Sequence, residues 1–306
     1  MGPILQSAFE YFNNGIRKGG KTDSSFWRDP AQEPVKLSPR LSAVVSLIPK
    51  GSTVADIGSD HAQLPIYLAK KGISTRVIAG EVHREPFYNA CKAVEEAGLN
   101  GPVEVRLGYG LNILLPGEVD TIVMAGMGGA TIVEILCRQR TVADRAQQLI
   151  LQPMVAGGLV RRWLLLHGFA IRHEQLVVED EQIYEAIIAN SAPLAVGSGT
   201  GNELFEPFLP AAPNEHMLRD MIGSLFSRKS CEPIPLEVML EVGPLLFLRE
   251  DPMLARLLVR KIARYRHIMD LLWSQPSAKA ARRWADLQQK VSDFEKVLYC
   301  LSKRKS

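Results

Sequence analysis

The chain has 306 residues, 46% apolar and 23% charged, ordinary values for a soluble protein able to bury a substantial core. No uncharged apolar run reaches the roughly 18 residues a membrane-spanning helix needs, and Cys91, Cys137, Cys231 and Cys300 form no CxxC pair, which argues against a zinc knuckle or disulfide framework and for a reduced, cytoplasmic setting. The net charge of +3 is unevenly held: residues 251 to 306 carry 13 Lys and Arg against 5 Asp and Glu, a balance of +8 that leaves −5 for residues 1 to 250, and a mildly acidic body with a basic tail suggests a polyanionic partner.

Residues 1 to 36 lack the charged start and apolar run of a secretory leader. They contain "KGGKTDSSFWRDPAQEP", dense in turn formers, and read as a poorly ordered extension. From Leu37 to residue 190 the texture changes. Strand-like runs "TVADI", "TRVIAGE", "VEVRL", "DTIVMAG" and "QLILQP" alternate with helical patterns such as "PFYNACKAVEEAG" and "LVRRWLLLHG", the latter closed by Gly168 in the position of a C-cap glycine. Such alternation predicts an α/β domain, a parallel sheet with helices on both faces. "FAIRHEQLVV" and "YEAIIAN" follow each other without a helix between them and predict an antiparallel edge pair.

Residues 191 to 235 are rich in Gly, Pro and Ser and read as an irregular linker or insertion. In residues 236 to 306 two apolar stripes recur at steps of three and four. The first runs through Leu254, Leu258, Ile262, Tyr265, Met269 and Leu272, the second through Trp284, Leu287, Val291, Phe294, Leu298 and Leu301, with Pro276 between them. Two such stripes bury each other as an antiparallel helical coiled-coil hairpin. Arg256, Arg260 and Arg264 repeat every four residues off the first stripe, with Lys261 and Arg266 nearby, and Arg282, Arg283 and Lys290 lie along the second helix. A basic rib of this kind is a candidate phosphate-binding arm, and a solubilising face is the alternative.

Ligands of an open parallel sheet sit beyond the carboxyl ends of its strands. After "TVADI" come Gly58, Ser59, Asp60 and His61. After "TRVIAG" comes Glu81, then Val82. After "VEVRL" come Gly108, Tyr109 and Gly110, and the fourth strand ends in Ala125, Gly126 and Met127. Glu81 stands about 23 residues beyond Gly58, near the spacing at which an acid accepts both hydroxyls of a ribose. A pyrophosphate is disfavoured, because its glycine-rich loop is missing and Asp60 would repel it. A positively charged sulfonium would instead welcome Asp56 or Asp60, which points to S-adenosylmethionine. Asp56, Gly58, Ser59, Asp60, Glu81, Val82, Gly108, Tyr109, Gly110, Ala125 and Gly126 are the candidate cofactor residues; Asp60, His61 and Met127 are the candidate catalytic ones. The histidines show no ligand spacing, and no metal is expected.

Together "LSPRLSAVVSLIPKGSTVADIGSDHAQLPIYL", "IAGEV", "DTIVMAGMGG", "LILQP" and "EVGPLL" followed by the hairpin resemble the bacterial tRNA (adenine-22-N1)-methyltransferase family (TrmK), from about Leu37 to about Leu301. The resemblance implies a Rossmann-like class I methyltransferase domain using S-adenosylmethionine, a C-terminal helical hairpin that grips tRNA, and methylation of N1 of adenosine 22. With the basic rib, this makes Arg256, Arg260, Arg264 and Arg283 the candidate RNA contacts, with Arg40 on the catalytic body as a further candidate. The sequence departs from the family at Tyr109, where Asp or Asn is usual, at Met154, where Asn is usual, and at Gln63, where Tyr is usual. These changes touch the cofactor and base pockets. They leave open a methyltransferase of the same fold acting on another RNA or a small molecule, and a catalytically impaired RNA-binding homologue. The oligomeric state is also open, with a monomer expected.

Overall fold

A computed structural model describes residues 36–191, 211–212, 214–227, 234–274 and 277–303. The extension expected over residues 1 to 36 therefore lies outside the described residues except for its last position. The catalytic body runs α1 (Pro39–Ser46), β1 (Val54–Ile57), α2 (Gln63–Lys70), β2 (Val77–Glu81), α3 (Arg84–Glu96), β3 (Val103–Leu107), a 3₁₀ turn (Gly110–Ile113), β4 (Thr121–Met127), α4 (Gly129–Arg138), α5 (Arg140–Arg145), β5 (Gln148–Pro153), α6 (Gly157–Leu166), β6 (Phe169–Glu179) and β7 (Gln182–Ser191). The sheet order is β3-β2-β1-β4-β5-β7-β6. The first five strands are parallel, and β7 inserts antiparallel between β5 and β6. The pair expected at the edge forms, with its second strand inside the first.

Alternation along the strands explains why helices cover both faces. Ala55 and Ile57 of β1 join a core with Ile132, Ile135 and Leu136 of α4 and Val160 and Leu164 of α6. Val54 faces the other way, toward Val44 of α1, Leu64 and Leu68 of α2, and Ala90 and Val94 of α3. Strands buried on both faces must read as continuous apolar runs, which is what made them legible. Asp56 interrupts one such run and is itself buried.

The stretch expected to be irregular contains α7 (Glu215–Ser227), whose Leu218 and Ile222 are buried in the main core. Its apolar spacing is short and set among turn formers, so composition masked it. Next come α8 (Leu236–Val242) and α9 (Pro244–Leu248), short helices with nearly every side chain buried. They form a platform from which the hairpin rises, α10 (Leu254–Trp273) and α11 (Ala278–Ser302). Ser277 caps α11 by accepting from the Ala280 N–H at 3.0 Å, and Tyr265 stacks on Phe294 across the hairpin with centroids 5.9 Å apart.

Candidate active site and basic cleft

The strand order reverses between β1 and β4, and a doubly wound sheet binds its ligand at that switch. Gly58 ends β1 with φ of +75°. A Cβ on it would lie 2.5 Å from Cε of Met127, at the end of β4. The two candidate positions thus meet at the switch point, with Met127 closing over the glycine turn. Beyond Gly58 the backbone stays left-handed through Asp60 (φ 42°), His61 (φ 61°) and Ala62 (φ 55°). Three successive non-glycine residues in this sparsely populated region represent strain that the surrounding fold must hold. The turn leaves Asp60 and His61 together on the open rim, with Nε2 to Oδ1 at 3.6 Å.

Below the rim the acids are dry. Asp56 is 4% exposed, and burial raises its pKa to about 7, opposed by the Ser59 hydroxyl and Arg40 and assisted by the charge of Glu81. Glu81, at the tip of β2, is also buried, and its pKa is raised chiefly by desolvation. Its Oε1 is buried without a hydrogen-bond partner among the described residues. A buried carboxylate oxygen left unpaired costs free energy, so a ribose hydroxyl in that place would relieve it. The residues present therefore fit S-adenosylmethionine: Glu81 for the ribose, and Asp56 and Asp60 as acids facing a cationic ligand. Val82 is exposed directly beyond Glu81.

The other candidates also have packing partners. A Cβ at Gly108 would lie 2.5 Å from Ile113, and one at Gly110 2.7 Å from Ile135, so both glycines serve the packing of the 3₁₀ turn. The Tyr109 ring lies against α4, with the Arg138 guanidinium 5.1 Å from its centroid, and burial together with Glu134 raises its hydroxyl pKa. Gly126 (φ +79°) sits at a register shift between Ala125 and Met127. Its N–H donates to Gln152 Oε1 at 3.0 Å, and the same oxygen accepts from Arg40 Nη1 at 2.9 Å. The backbone N–H of Arg40 also donates to Glu179 at 2.7 Å, and its guanidinium lies over the Tyr184 ring. Arg40, expected as an RNA contact on the body, also braces the site's frame, with Nη1 bonded to Gln152 and its charge 3.8 Å from Glu179. Gln152, fully buried and holding the β4 turn, was not singled out from the sequence; its place inside the "LILQP" run was the available signal.

Beyond β5, Met154, Val155 and Leu159 are exposed apolar side chains. They open onto a cleft of about 780 Å³ whose far wall is the hairpin, where Arg260, Arg264, Arg283 and Lys290 line it. Arg256 is exposed but does not line this cleft. Lys261, expected among the surface charges, is turned inward. Its Nζ donates to Glu241 at 2.8 Å and lies 3.7 Å from Glu185, and these two acids hold its pKa up against the opposing effect of burial. Arg161 of α6 is completely buried beside them, paired with Glu174, with Glu185 at 2.6 Å and with the Leu240 carbonyl at 3.1 Å. Glu174 additionally accepts from the Leu245 N–H at 2.6 Å. This network joins β6, β7 and α6 to the platform and to α10. It needs close approach, since a Cβ at Gly157 would lie 2.6 Å from the Glu185 carboxylate and one at Gly158 3.0 Å from that of Glu241.

A family model described as a methyltransferase domain matches residues 37–187. A Bacillus subtilis protein, tRNA (adenine(22)-N(1))-methyltransferase, is 41% identical over 157 residues, 51% of this chain and 66% of its own length. The crystal structure of the B. subtilis M1A22 tRNA methyltransferase TrmK superposes with a TM-score of 0.67 at 28% identity, covering 86% of this chain and 99% of that one. Streptococcus pneumoniae Sp1610, solved in complex with S-adenosyl-L-methionine, superposes with a TM-score of 0.64 at 26% identity, covering 86% and 100%. The sequence match in the catalytic body and the shared fold that continues through the hairpin agree: this chain belongs to the TrmK family of methyltransferases.

Proposed function

We propose that this protein transfers a methyl group from S-adenosylmethionine to N1 of an adenosine in tRNA, at position 22. The observation that carries this is the meeting of two features at one sheet end. A pair of dry acids at the tips of β1 and β2 suits the cofactor, and a cleft walled by hairpin arginines opens beside β5. A small-molecule methyltransferase would have no use for that row of cations.

S-adenosylmethionine, when bound, supplies a methyl group on a positively charged sulfur. Glu81 binds and orients the ribose, Asp56 and Asp60 supply negative charge, and Met127 with Gly58 shapes the floor. A neutral adenine N1 carries no proton, so no residue need act as a strong base. Positioning and electrostatics carry the catalysis, with Asp60 and His61 placed on the rim where a base would enter and Met154 and Val155 offering it an apolar face. The target base must be unpaired or flipped outward to reach this depth. Arg260, Arg264 and Arg283 bind phosphates and fix the register of the RNA. Among the described residues no helix is long and apolar enough to cross a membrane, and the cytoplasm, where tRNA is found, is the compartment we assign.

The test is nucleoside mass spectrometry of tRNA incubated with the purified protein and cofactor. We expect 1-methyladenosine, lost when adenosine 22 is replaced. Cofactor binding without tRNA methylation would favour another substrate for the same fold.

A further inference from the structure

The far end of the hairpin carries aromatic surface that neither the cofactor site nor the cleft uses. Trp273, the last residue of α10, is 77% exposed. Trp284 of α11 faces it, with ring centroids 6.1 Å apart and planes inclined at 51°. Together with Leu272, Ser277, Ala280 and Ala281 they line a cavity of about 390 Å³, within the range of pockets that hold a small planar ligand (roughly 300–1,000 Å³). The alanines keep it open, since larger side chains at 280 and 281 would fill it.

A hairpin does not need this arrangement for stability. Trp284 continues the apolar stripe, but Trp273 projects from the helix end and buries little, and exposing a large ring to water gains nothing for folding. The surroundings indicate what would cover it. From Arg264 to Lys290 the hairpin carries six Lys or Arg against two acids, Asp270 and Asp286. Arg283, adjacent to Trp284 in sequence, also lines the cleft beside β5. Arg283 thus links the cations of the cleft to the aromatic tip, while Arg266 is paired with Glu295. Aromatic faces flanked by phosphate-binding cations are how proteins hold unpaired nucleotides, because every base has a face to stack.

We propose that Trp273 and Trp284 form a second nucleobase site that stacks an unpaired base of the RNA substrate, away from the base being methylated. The proposal rests on the reading of the protein as a tRNA methyltransferase. Arg260 and Trp273 are 13 positions apart on one helix, a span of about 20 Å at 1.5 Å per residue, so the stacked base lies roughly that far from a phosphate held at Arg260. This site makes the hairpin a ruler that reads RNA shape.

The experiment compares the full chain with Trp273→Ala and Trp273→Phe, using an unmodified tRNA transcript and a blunt RNA duplex of similar length. Unchanged helical circular dichroism is expected, since Trp273 is mostly exposed. Trp273→Ala should lower tRNA affinity about 10- to 100-fold, with Trp273→Phe recovering most of it. The salt dependence should keep its slope, because no phosphate contact is removed, and duplex affinity should not change. The methylation reaction should show a raised KM with kcat retained. Parent affinity in Trp273→Ala overturns the proposal, as does an equal loss on tRNA and duplex. A parent that dimerises in sedimentation while Trp273→Ala is monomeric, with tRNA binding unaltered, would give the tip to a second copy and also overturn it. A parent that binds tRNA and forms 1-methyladenosine beside an unaffected variant sinks the tip alone; a parent that does neither sinks both.

Discussion

Beneath the hairpin Glu174 and Glu185 are buried with Arg161 between them, whereas at the tips of β1 and β2 Asp56 and Glu81 are buried and, among the described residues, no lysine or arginine is hydrogen bonded to either. Both regions remove carboxylates from water, and both must meet the cost of doing so. In the first, the cations overcome burial: Glu185 ends below the ordinary carboxylate range because Arg161 and Lys261 outweigh its desolvation. In the second, burial wins, and Asp56 moves up to about 7. The difference separates architecture from site. Acids paired with cations within the fold fix the hairpin on the catalytic body, and buried acids without a bonded cation suit the cationic cofactor proposed above.

Removing the central cation should break the comparison most severely. Arg161→Met leaves Glu174 and Glu185 dry and uncompensated, which should cost about 3–5 kcal/mol of stability, read as a fall in the denaturant midpoint. The deficit should shrink as pH drops and the orphaned acids take up protons. A loss under about 1 kcal/mol would show that the network is replaceable by packing alone.

The strand-end acids should behave in the opposite way. Glu81→Ala should leave stability unchanged or raised, and should weaken S-adenosylmethionine binding by about 1.5–3 kcal/mol, measured by calorimetry. Unchanged cofactor affinity would remove Glu81 from the site.

Asp56 predicts a pH dependence. The folded form holds its proton up to about pH 7, while the unfolded chain loses it near the ordinary aspartate value of 3.8. Stability from this group is therefore greatest at the acid end of that window and declines as pH rises through it. Asp56→Asn should remove the decline and stabilise the ligand-free protein at pH 8 by roughly 1–3 kcal/mol. A cationic ligand favours the ionised acid, so cofactor affinity should rise by up to about tenfold per pH unit below 7 in the parent and flatten above it. Proton release in calorimetry across buffers of different ionisation enthalpy checks this, and the asparagine variant should show none from this site.

Much of this comparison was visible in the sequence on one side only. Strand-end acids are legible because the chain writes them into the ends of the strands, as Asp56 near the end of "TVADI" just before Gly58 and Glu81 at the end of "TRVIAGE". The family resemblance carried the same positions. The buried network is not legible, since Arg161, Glu174, Glu185, Glu241 and Lys261 come from five separate elements and each alone looks like a surface charge. The clues were indirect: an acid within "YEAIIAN" and the glycine pair before "LVRRW", which together signal something polar and bulky packed against the start of α6. The bracing of Arg40 was hidden for a similar reason, because its partners Gln152 and Glu179 lie more than 100 residues away in sequence. The helix at Glu215–Ser227 was hidden by its glycine- and proline-rich flanks.

The smallest effects divide the basic rib. Periodicity treats Arg256, Arg260 and Arg264 as equal, but four-residue steps drift about 40° each around a helix of 3.6 residues per turn. Arg260 and Arg264 line the cleft, and Arg256 does not. Arg264→Gln should therefore weaken tRNA binding, and the slope of log affinity against log salt should fall by nearly one if one phosphate contact is lost. Arg256→Gln should leave both nearly unchanged, and neither variant should disturb folding, since glutamine is a good helix former at these positions. Cofactor affinity should match the parent in both. Equal losses from the two substitutions would mean that RNA wraps the outer face of α10 and is not confined to the cleft. No loss from Arg264→Gln would place the phosphates elsewhere along the wall, with Arg283 and Lys290 the next residues to replace.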